Sequence, residues 1–257
     1  MKLIVTEKKS VADAIGKALG AITRKPGHLE GPDRLITWCA RPPLDMAPPD
    51  AYGGQYKKWG LESLPLIPAR FRTHVPKDKA ARLKDVIALM NRPDVDTIVN
   101  ACDAGREGEH IFRLVYDHSR TNKPIQRLWI SSMEEATIRD GFARLRPGAD
   151  YDNLAGAAHC RARADWLVGI NATRLFSVIH GATLSVGRVM PPTLALLAGR
   201  EAEIAAFRAE PFYAVELNTG CFTVASGRLS DKSEAGHIRA ACDKQTATVL
   251  SVEQREK

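Results

Sequence analysis

Residues 97–102, T-I-V-N-A-C, form a short apolar run that hands over directly to the acidic, glycine-punctuated segment C-D-A-G-R-E-G-E at residues 102–109. A run of this length reads as a buried strand, and the segment after it as the start of a helix. The chain opens in the same way, with L-I-V-T at residues 3–6 followed by Glu7 and a helical segment. Open α/β sheets bind their ligands at the carboxyl ends of the strands. Parallel pairing of these two strands therefore predicts that Glu7, Asp103 and Glu107 share one edge, where three carboxylates suit Mg²⁺. Acidic residues also gather at helix starts for a plainer reason, because the helix N-terminus favours negative charge. It is the combination of the two segments that points to a metal.

The surrounding pattern fits that placement. Residues 10–19 predict a helix with Ser10 as N-cap, Asp13 three residues on and Gly20 as the stop. Residues 35–40 read as a strand. The stretch with Pro42, Pro43, Pro48, Pro49, Pro65, Pro68 and Pro76 cannot be one long helix and is expected to run over the surface. Residues 77–90 carry Ala80, Leu83, Ile87 and Met90 at helical spacing, and residues 106–116 predict the next helix. A strand over 126–130 and a helix over 134–145 follow, the helix capped by Ser131 or Ser132 and ended at Pro147-Gly148. This alternation predicts an α/β fold, a doubly wound parallel sheet with helices on both faces. Beyond it, residues 153–180 and 192–207 read as helices around a loop containing L-S-V-G-R at 184–188. Residues 212–217 and 246–252 read as strands with a short helix at 237–242 between them. There is no internal repeat.

A chain of 257 residues suits one full domain plus part of another. Hydrophobic residues make up 44% and charged residues 26%, as in a soluble globular protein, and no apolar run approaches the roughly 18 residues of a membrane span. The first residues, M-K-L-I-V-T-E-K-K, become charged too soon for a signal peptide, so the expected location is cytoplasmic with no membrane partner. Cys39, Cys102, Cys160, Cys221 and Cys242 are odd in number and never spaced C-x-x-C, which predicts reduced, mostly buried thiols and no zinc ribbon. The net charge of +7 suggests a polyanionic partner. The first 150 residues hold 25 Lys and Arg against 19 Asp and Glu. Within residues 158–188, Arg161, Arg163, Arg174 and Arg188 face one acid, Asp165, which makes a local basic stripe.

Five segments together identify a family. L-I-V-T-E-K-K-S at 3–10, D-A-G-R-E-G-E-H at 103–110, R-L-W-I-S-S at 127–132, A-R-A-D-W-L-V-G-I-N at 162–171 and L-S-V-G-R-V at 184–189 occur in the order and spacing of the type IA DNA topoisomerases. Across essentially its whole length the chain resembles the N-terminal part of such an enzyme, of the topoisomerase III kind. The resemblance implies a Toprim domain over residues 1–150, a Rossmann-like metal-binding unit. It further implies part of the helical DNA-groove domain over 151–210 and the first strands of the gate arch over 211–257. Enzymes of this family cut one strand with a tyrosine, hold the 5′-phosphate, pass another strand and reseal.

Carried onto matching positions, the resemblance gives Glu7 the handling of the leaving 3′ oxygen, which needs a group within hydrogen-bond reach, and gives Lys8 the steadying of phosphate charge. Asp103 and Glu107, with Glu7, would bind Mg²⁺. Arg161, Arg163, Asp165, Ser185 and Arg188 would contact single-stranded DNA, and no nucleotide cofactor is implied. For Lys8 the plain alternative is a solvated surface charge. For Arg161 and Asp165, spaced i, i+4, it is a helix-surface ion pair. Gly187 beside Arg188 permits close approach to a phosphate. Trp38, Trp59, Trp129 and Trp166 are read as core residues rather than base-stacking ones.

The sequence also departs from the family. The attacking tyrosine lies in a context resembling T-Y-P-R-T-D, and none of Tyr52, Tyr56, Tyr116, Tyr151 or Tyr213 has that setting. The chain is thus expected to lack the nucleophile and to relax no DNA by itself, the tyrosine domain acting in trans if at all. Gly105 stands where many relatives carry a second aspartate, Arg41-Pro42 replaces an expected Gly-His pair, and Met190-Pro191 replaces a Gln-Thr pair. These departures keep open a second reading, a non-catalytic DNA-binding remnant of a plasmid or mobile element. A stand-alone Toprim nuclease is disfavoured by the layout of residues 151–257.

Overall fold

The five residues Lys2–Thr6 form strand β1. Leu3 and Val5 enter one apolar cluster and Ile4 another, all essentially without exposure, the signature of a strand covered on both faces. The computed structural model describes residues 1–20, 23–39, 42–246 and 248. After β1 come α1 (Lys9–Ala18), β2 (Thr23–Lys25), β3 (His28–Glu30) and β4 (Arg34–Trp38). The proline-rich stretch contains β5 (Asp45–Met46), three short 3₁₀ turns and β6 (Thr73–His74). Then follow α2 (Lys77–Met90), β7 (Thr97–Asn100), α3 (Arg106–Ser119), β8 (Ile125–Arg127), α4 (Glu135–Ala143) and β9 (Arg146–Pro147). The long α5 (Asp152–His180), α6 (Met190–Ala206), β10 (Glu216–Asn218), β11 (Thr223–Ala225) and α7 (Lys232–Cys242) complete the described elements.

The main sheet runs β2-β3-β4-β1-β7-β8-β9. Its inner strands β4, β1, β7 and β8 are parallel, as expected. Helices cover both faces: Leu83, Val86, Ile111 and Phe112 from α2 and α3 pack beside Leu3, while Ala12, Ile15 and Ile138 from α1 and α4 pack beside Ile4. The edges depart from a purely parallel sheet, because β2 and β3 run antiparallel at one side and β9 at the other. In the parallel centre Val5 registers against Asn100. The residues that follow β1 and β7 therefore emerge at the same edge.

Several expectations need correcting. The N-cap of α1 is Lys8, with extended backbone, and Ser10 lies inside the first turn without a capping bond. The Thr6 hydroxyl donates to the Lys8 carbonyl, which also accepts from the Ala12 N–H, so the helix begins one residue early. Gly20, with φ +68°, ends it as expected. The proline-rich stretch runs over the surface as expected, and it is also tied to α5. Asn171 exchanges hydrogen bonds with both backbone groups of Leu66, and Trp166 packs between Tyr52 and Phe71. Arg174 leaves the basic stripe: it is buried, donates to the Tyr56 carbonyl and lies over Trp59. Of the thiols, Cys39 and Cys102 are buried, Cys160 and Cys221 are exposed and Cys242 is intermediate. Trp59 and Trp129, read as core, are each 45% exposed. Arg41 and nearly all of the strand expected over 246–252 lie outside the described residues.

The chain divides into two compact units, Met1–Leu194 and Ala195–Lys257. The first holds the sheet and α5. In the second, β10 and β11 form an antiparallel pair, Tyr213 bridges Leu229, and the Asp231 carboxylate caps α7 by accepting from the Ser233 N–H. Among the described residues no helix is long and apolar enough to cross a membrane.

Candidate functional site

Glu7 and Lys8 form the two-residue turn between β1 and α1, and Asp103 leaves the neighbouring strand β7 at the same edge. Lys8 Nζ lies 3.4 Å from Glu7 Oε1 and 3.5 Å from Asp103 Oδ2. One cation thus sits between two carboxylates that would otherwise repel. Burial pushes the Glu7 carboxyl up from its usual range, the charge of Asp103 adds to the rise, and Lys8 opposes it. Glu107, in the first turn of α3, also raises it. Glu7 in turn raises the Lys8 ammonium, with Asp103 contributing. Among the described residues no three His, Cys, Asp or Glu side chains converge closely enough to enclose a metal. The donors nonetheless fit Mg²⁺ chemically, since that ion takes hard oxygen ligands, keeps several waters and is often held by one or two carboxylates.

The loop that carries Asp103 is fixed from below by a charge network that sequence reasoning missed. Arg127 and Glu109 are each 1% exposed, with Arg127 Nε 3.1 Å from Glu109 Oε2. The Arg127 guanidinium donates to the carbonyls of Asn100, Cys102, Leu128 and Asp103 at 2.7–3.1 Å. Glu109 also accepts from Asn100 Nδ2 and Arg113 Nε, and Asn100 Oδ1 accepts from the Cys102 N–H. Three carbonyls and one N–H of the turn are thereby held by buried side chains. Gly108 completes the fit, because a Cβ there would collide with the Asp103 backbone. At Gly105 a Cβ would meet open space, so the missing second aspartate is not excluded by packing.

A cleft between α3 and α5 joins the acidic edge to the arginines. Arg106, Glu107 and His110 line one wall, and Arg161, Ala162 and Asp165 the other. Asp165 gathers the expected DNA-contact residues: Arg188 Nε lies 2.8 Å from Oδ1 and Arg161 Nε 3.7 Å from Oδ2. All three side chains remain about half exposed, so the i, i+4 pair is present and still leaves positive charge facing solvent. Arg163 does not join them; its guanidinium lies over the Phe71 ring at 5.4 Å. Ser185 is exposed on the loop that precedes Arg188.

His110 is a second residue that the sequence quoted without assigning a role. It meets His159 edge to face at 4.8 Å, and its Nδ1 is buried without a partner among the described residues. Burial, then His159, pushes its pKa down to about 4. Burial also lowers His159. The unfolded chain takes up these protons near pH 6.5 and the folded chain resists them. Stability is therefore complete above that pH and falls as pH drops toward 4, by about 1 kcal/mol for a half-buried group. Melting at pH 7 and pH 5 should show a smaller drop for His110→Gln than for the wild type. An unchanged drop would remove His110 as its source.

Comparison with known proteins bears on the family and the fold. Residues 149–257 match the family model described as DNA topoisomerase. A protein named DNA topoisomerase 3 from Bacillus thuringiensis (strain Al Hakam) is 40% identical over 262 residues, covering 99% of this chain and 36% of the relative. Its namesake from Shouchella clausii (strain KSM-K16) is 44% identical over 218 residues, covering 85% of this chain and 30% of the relative. The chain thus spans about a third of the length of the curated relatives it matches. The solved structure of full-length topoisomerase I from Thermotoga maritima superposes over 92% of this chain and 37% of its own, with a TM-score of 0.60 at 22% identity. That likeness speaks to the fold.

Proposed function

The chain belongs to the type IA DNA topoisomerase family, of the topoisomerase 3 kind, and on that premise we propose that it supplies the acidic edge and single-strand groove of an enzyme that cuts and reseals one DNA strand. The observation that carries the reading is the cleft joining Glu107 to Arg161 and Asp165 beside the Glu7–Lys8–Asp103 cluster. Arg161 and Arg188 would hold the backbone of one strand, since guanidinium groups match phosphate oxygens in pairs. Glu7 would handle the departing 3′ oxygen, for which it must lie within hydrogen-bond reach, and Lys8 would offset phosphate charge. Asp103 and Glu107, with Glu7, would hold Mg²⁺. Bound there, the ion would supply positive charge to the phosphoryl group during resealing. A cytoplasmic location would suit such a role.

Binding of labelled oligonucleotides tests the reading. Single strands should bind more tightly than duplex, with a log–log salt slope of about −2 if Arg161, Arg163 and Arg188 each neutralise one phosphate. Equal affinity for both forms, or no salt dependence, would count against the groove. The second reading, a DNA-binding module without catalysis, draws on Lys8 standing between Glu7 and Asp103. Single-strand affinity indifferent to Mg²⁺ would favour it.

We assign no nucleophile to this chain. Tyr116 donates its hydroxyl to the Lys123 carbonyl, Tyr52 hydrogen-bonds both backbone groups of Arg72, and Tyr151 is buried against Trp129. Tyr56 and Tyr213 lack the family's local sequence. An in-line oxygen held at the phosphate is what the cut requires. A denaturing gel of labelled single strand with the chain and Mg²⁺ should show no covalent adduct. An adduct that one Tyr→Phe change abolishes would overturn this assignment.

A further inference from the structure

Trp129 follows β8 by two residues at the carboxyl edge, and with 45% exposure it is too open for a core tryptophan. It is also held in place. Its ring stacks on Tyr151, with centroids 5.1 Å apart and planes at 22°, and the buried Arg127 guanidinium lies 5.0 Å from its centroid. The ring therefore stands on a braced support with nearly half of its surface open to solvent. Beside it lies a hollow lined by Ser131, Thr137, Asp140, Arg144 and Arg146. Both arginines are exposed, and neither pairs with a carboxylate among the described residues. An indole face beside hydroxyls, a carboxylate and two free guanidinium groups matches the parts of a nucleotide: a base to stack, amino or hydroxyl groups to bond and phosphates on either side. The support is also linked to the acidic edge, because the same Arg127 that underlies Trp129 donates to the Asp103 carbonyl at 2.7 Å.

We propose that this hollow is a second single-stranded DNA contact, in which one base stacks on Trp129 and its flanking phosphates meet Arg144 and Arg146. The proposal rests on the DNA-binding reading above and adds to it a sequence-tolerant site outside the α3–α5 cleft. It predicts that a strand engaged at the acidic edge is also gripped on the far side of Arg127.

The test is a fluorescence-anisotropy titration of the 257-residue chain with a labelled oligothymidylate, alongside Trp129→Leu, Trp129→Phe and Arg144→Gln/Arg146→Gln. Trp129→Leu should weaken binding about tenfold, within the range measured for loss of one base stack, and Trp129→Phe should recover most of it. The double arginine variant should shallow the salt slope by about 1 to 2 units. An oligonucleotide carrying abasic positions should bind the wild type more weakly while Trp129→Leu no longer distinguishes it from the intact strand. Circular dichroism and thermal melting identify any variant that fails to fold, and the abasic comparison on the wild type then decides alone. Wild-type affinity for single strands with no response to Trp129→Leu or to abasic positions overturns this site and leaves the groove reading standing. No wild-type affinity for single strands overturns both.

Discussion

Arg127→Leu should lower the unfolding free energy by about 3–5 kcal/mol, the usual cost of leaving one member of a buried ion pair without its partner. For a chain of this size that corresponds to a fall in melting temperature on the order of 10 °C. The loss has two parts. Glu109, 1% exposed, would keep its bonds to Arg113 and Asn100 but lose the charge that β8 supplies, and the carbonyls of Asn100, Cys102 and Asp103 at the β7–α3 turn, with that of Leu128 after β8, would lose the guanidinium. Burial already disfavours the Arg127 charge, and the nearby Glu109 carboxylate and the four carbonyl acceptors offset that cost. Replacing both residues, as Arg127→Leu/Glu109→Leu, should cost less than the two single changes together, since no unpaired charge would remain. The exposed Arg200–Glu203 pair, about 70% open on each side, provides the control: Arg200→Leu should cost less than about 1 kcal/mol. A loss from Arg127→Leu no larger than this would show that the network does not hold the turn.

The centre of the fold was legible because strands buried on both faces leave a plain mark. Leu3, Ile4 and Val5 are all apolar, as are Ile98 and Val99, and no half-exposed strand requires that. Helix α2 begins and ends at the residues its apolar spacing predicts. The sheet edges were not legible. Strand β2 is T-R-K with every side chain exposed, and β9 is only Arg146–Pro147, so neither carries periodicity. The acidic edge could be read from the sequence because strand ends place residues by topology alone. The Arg127–Glu109 pair could not, since the partners lie on separate elements and charged residues are read by default as solvated. Glu109 belongs to the quoted acidic motif, and its burial shows that the motif's last acid supports the turn while Asp103, half exposed, faces solvent. Trp129 was misread for the opposite reason, because an aromatic residue beside a strand is read by default as core.

Asp103→Ala should weaken Mg²⁺ binding by more than tenfold, exceeding the low end of the effect seen when only an outer-shell partner of a ligand is lost. Asp103 is the acid whose backbone the Arg127 network fixes and whose carboxylate shares Lys8 with Glu7. Its removal takes away a hard oxygen donor and leaves Lys8 facing Glu7 alone. Asp94 is the matched control: it is a surface carboxylate held by Arg92, away from the edge where β1 and β7 end. The most direct measurement is calorimetric titration of Mg²⁺ into the wild type, Asp103→Ala and Asp94→Ala under identical salt. One weak site is expected in the wild type and in Asp94→Ala, lost or reduced more than tenfold in Asp103→Ala. Indistinguishable Mg²⁺ affinities for Asp103→Ala and Asp94→Ala would contradict this expectation.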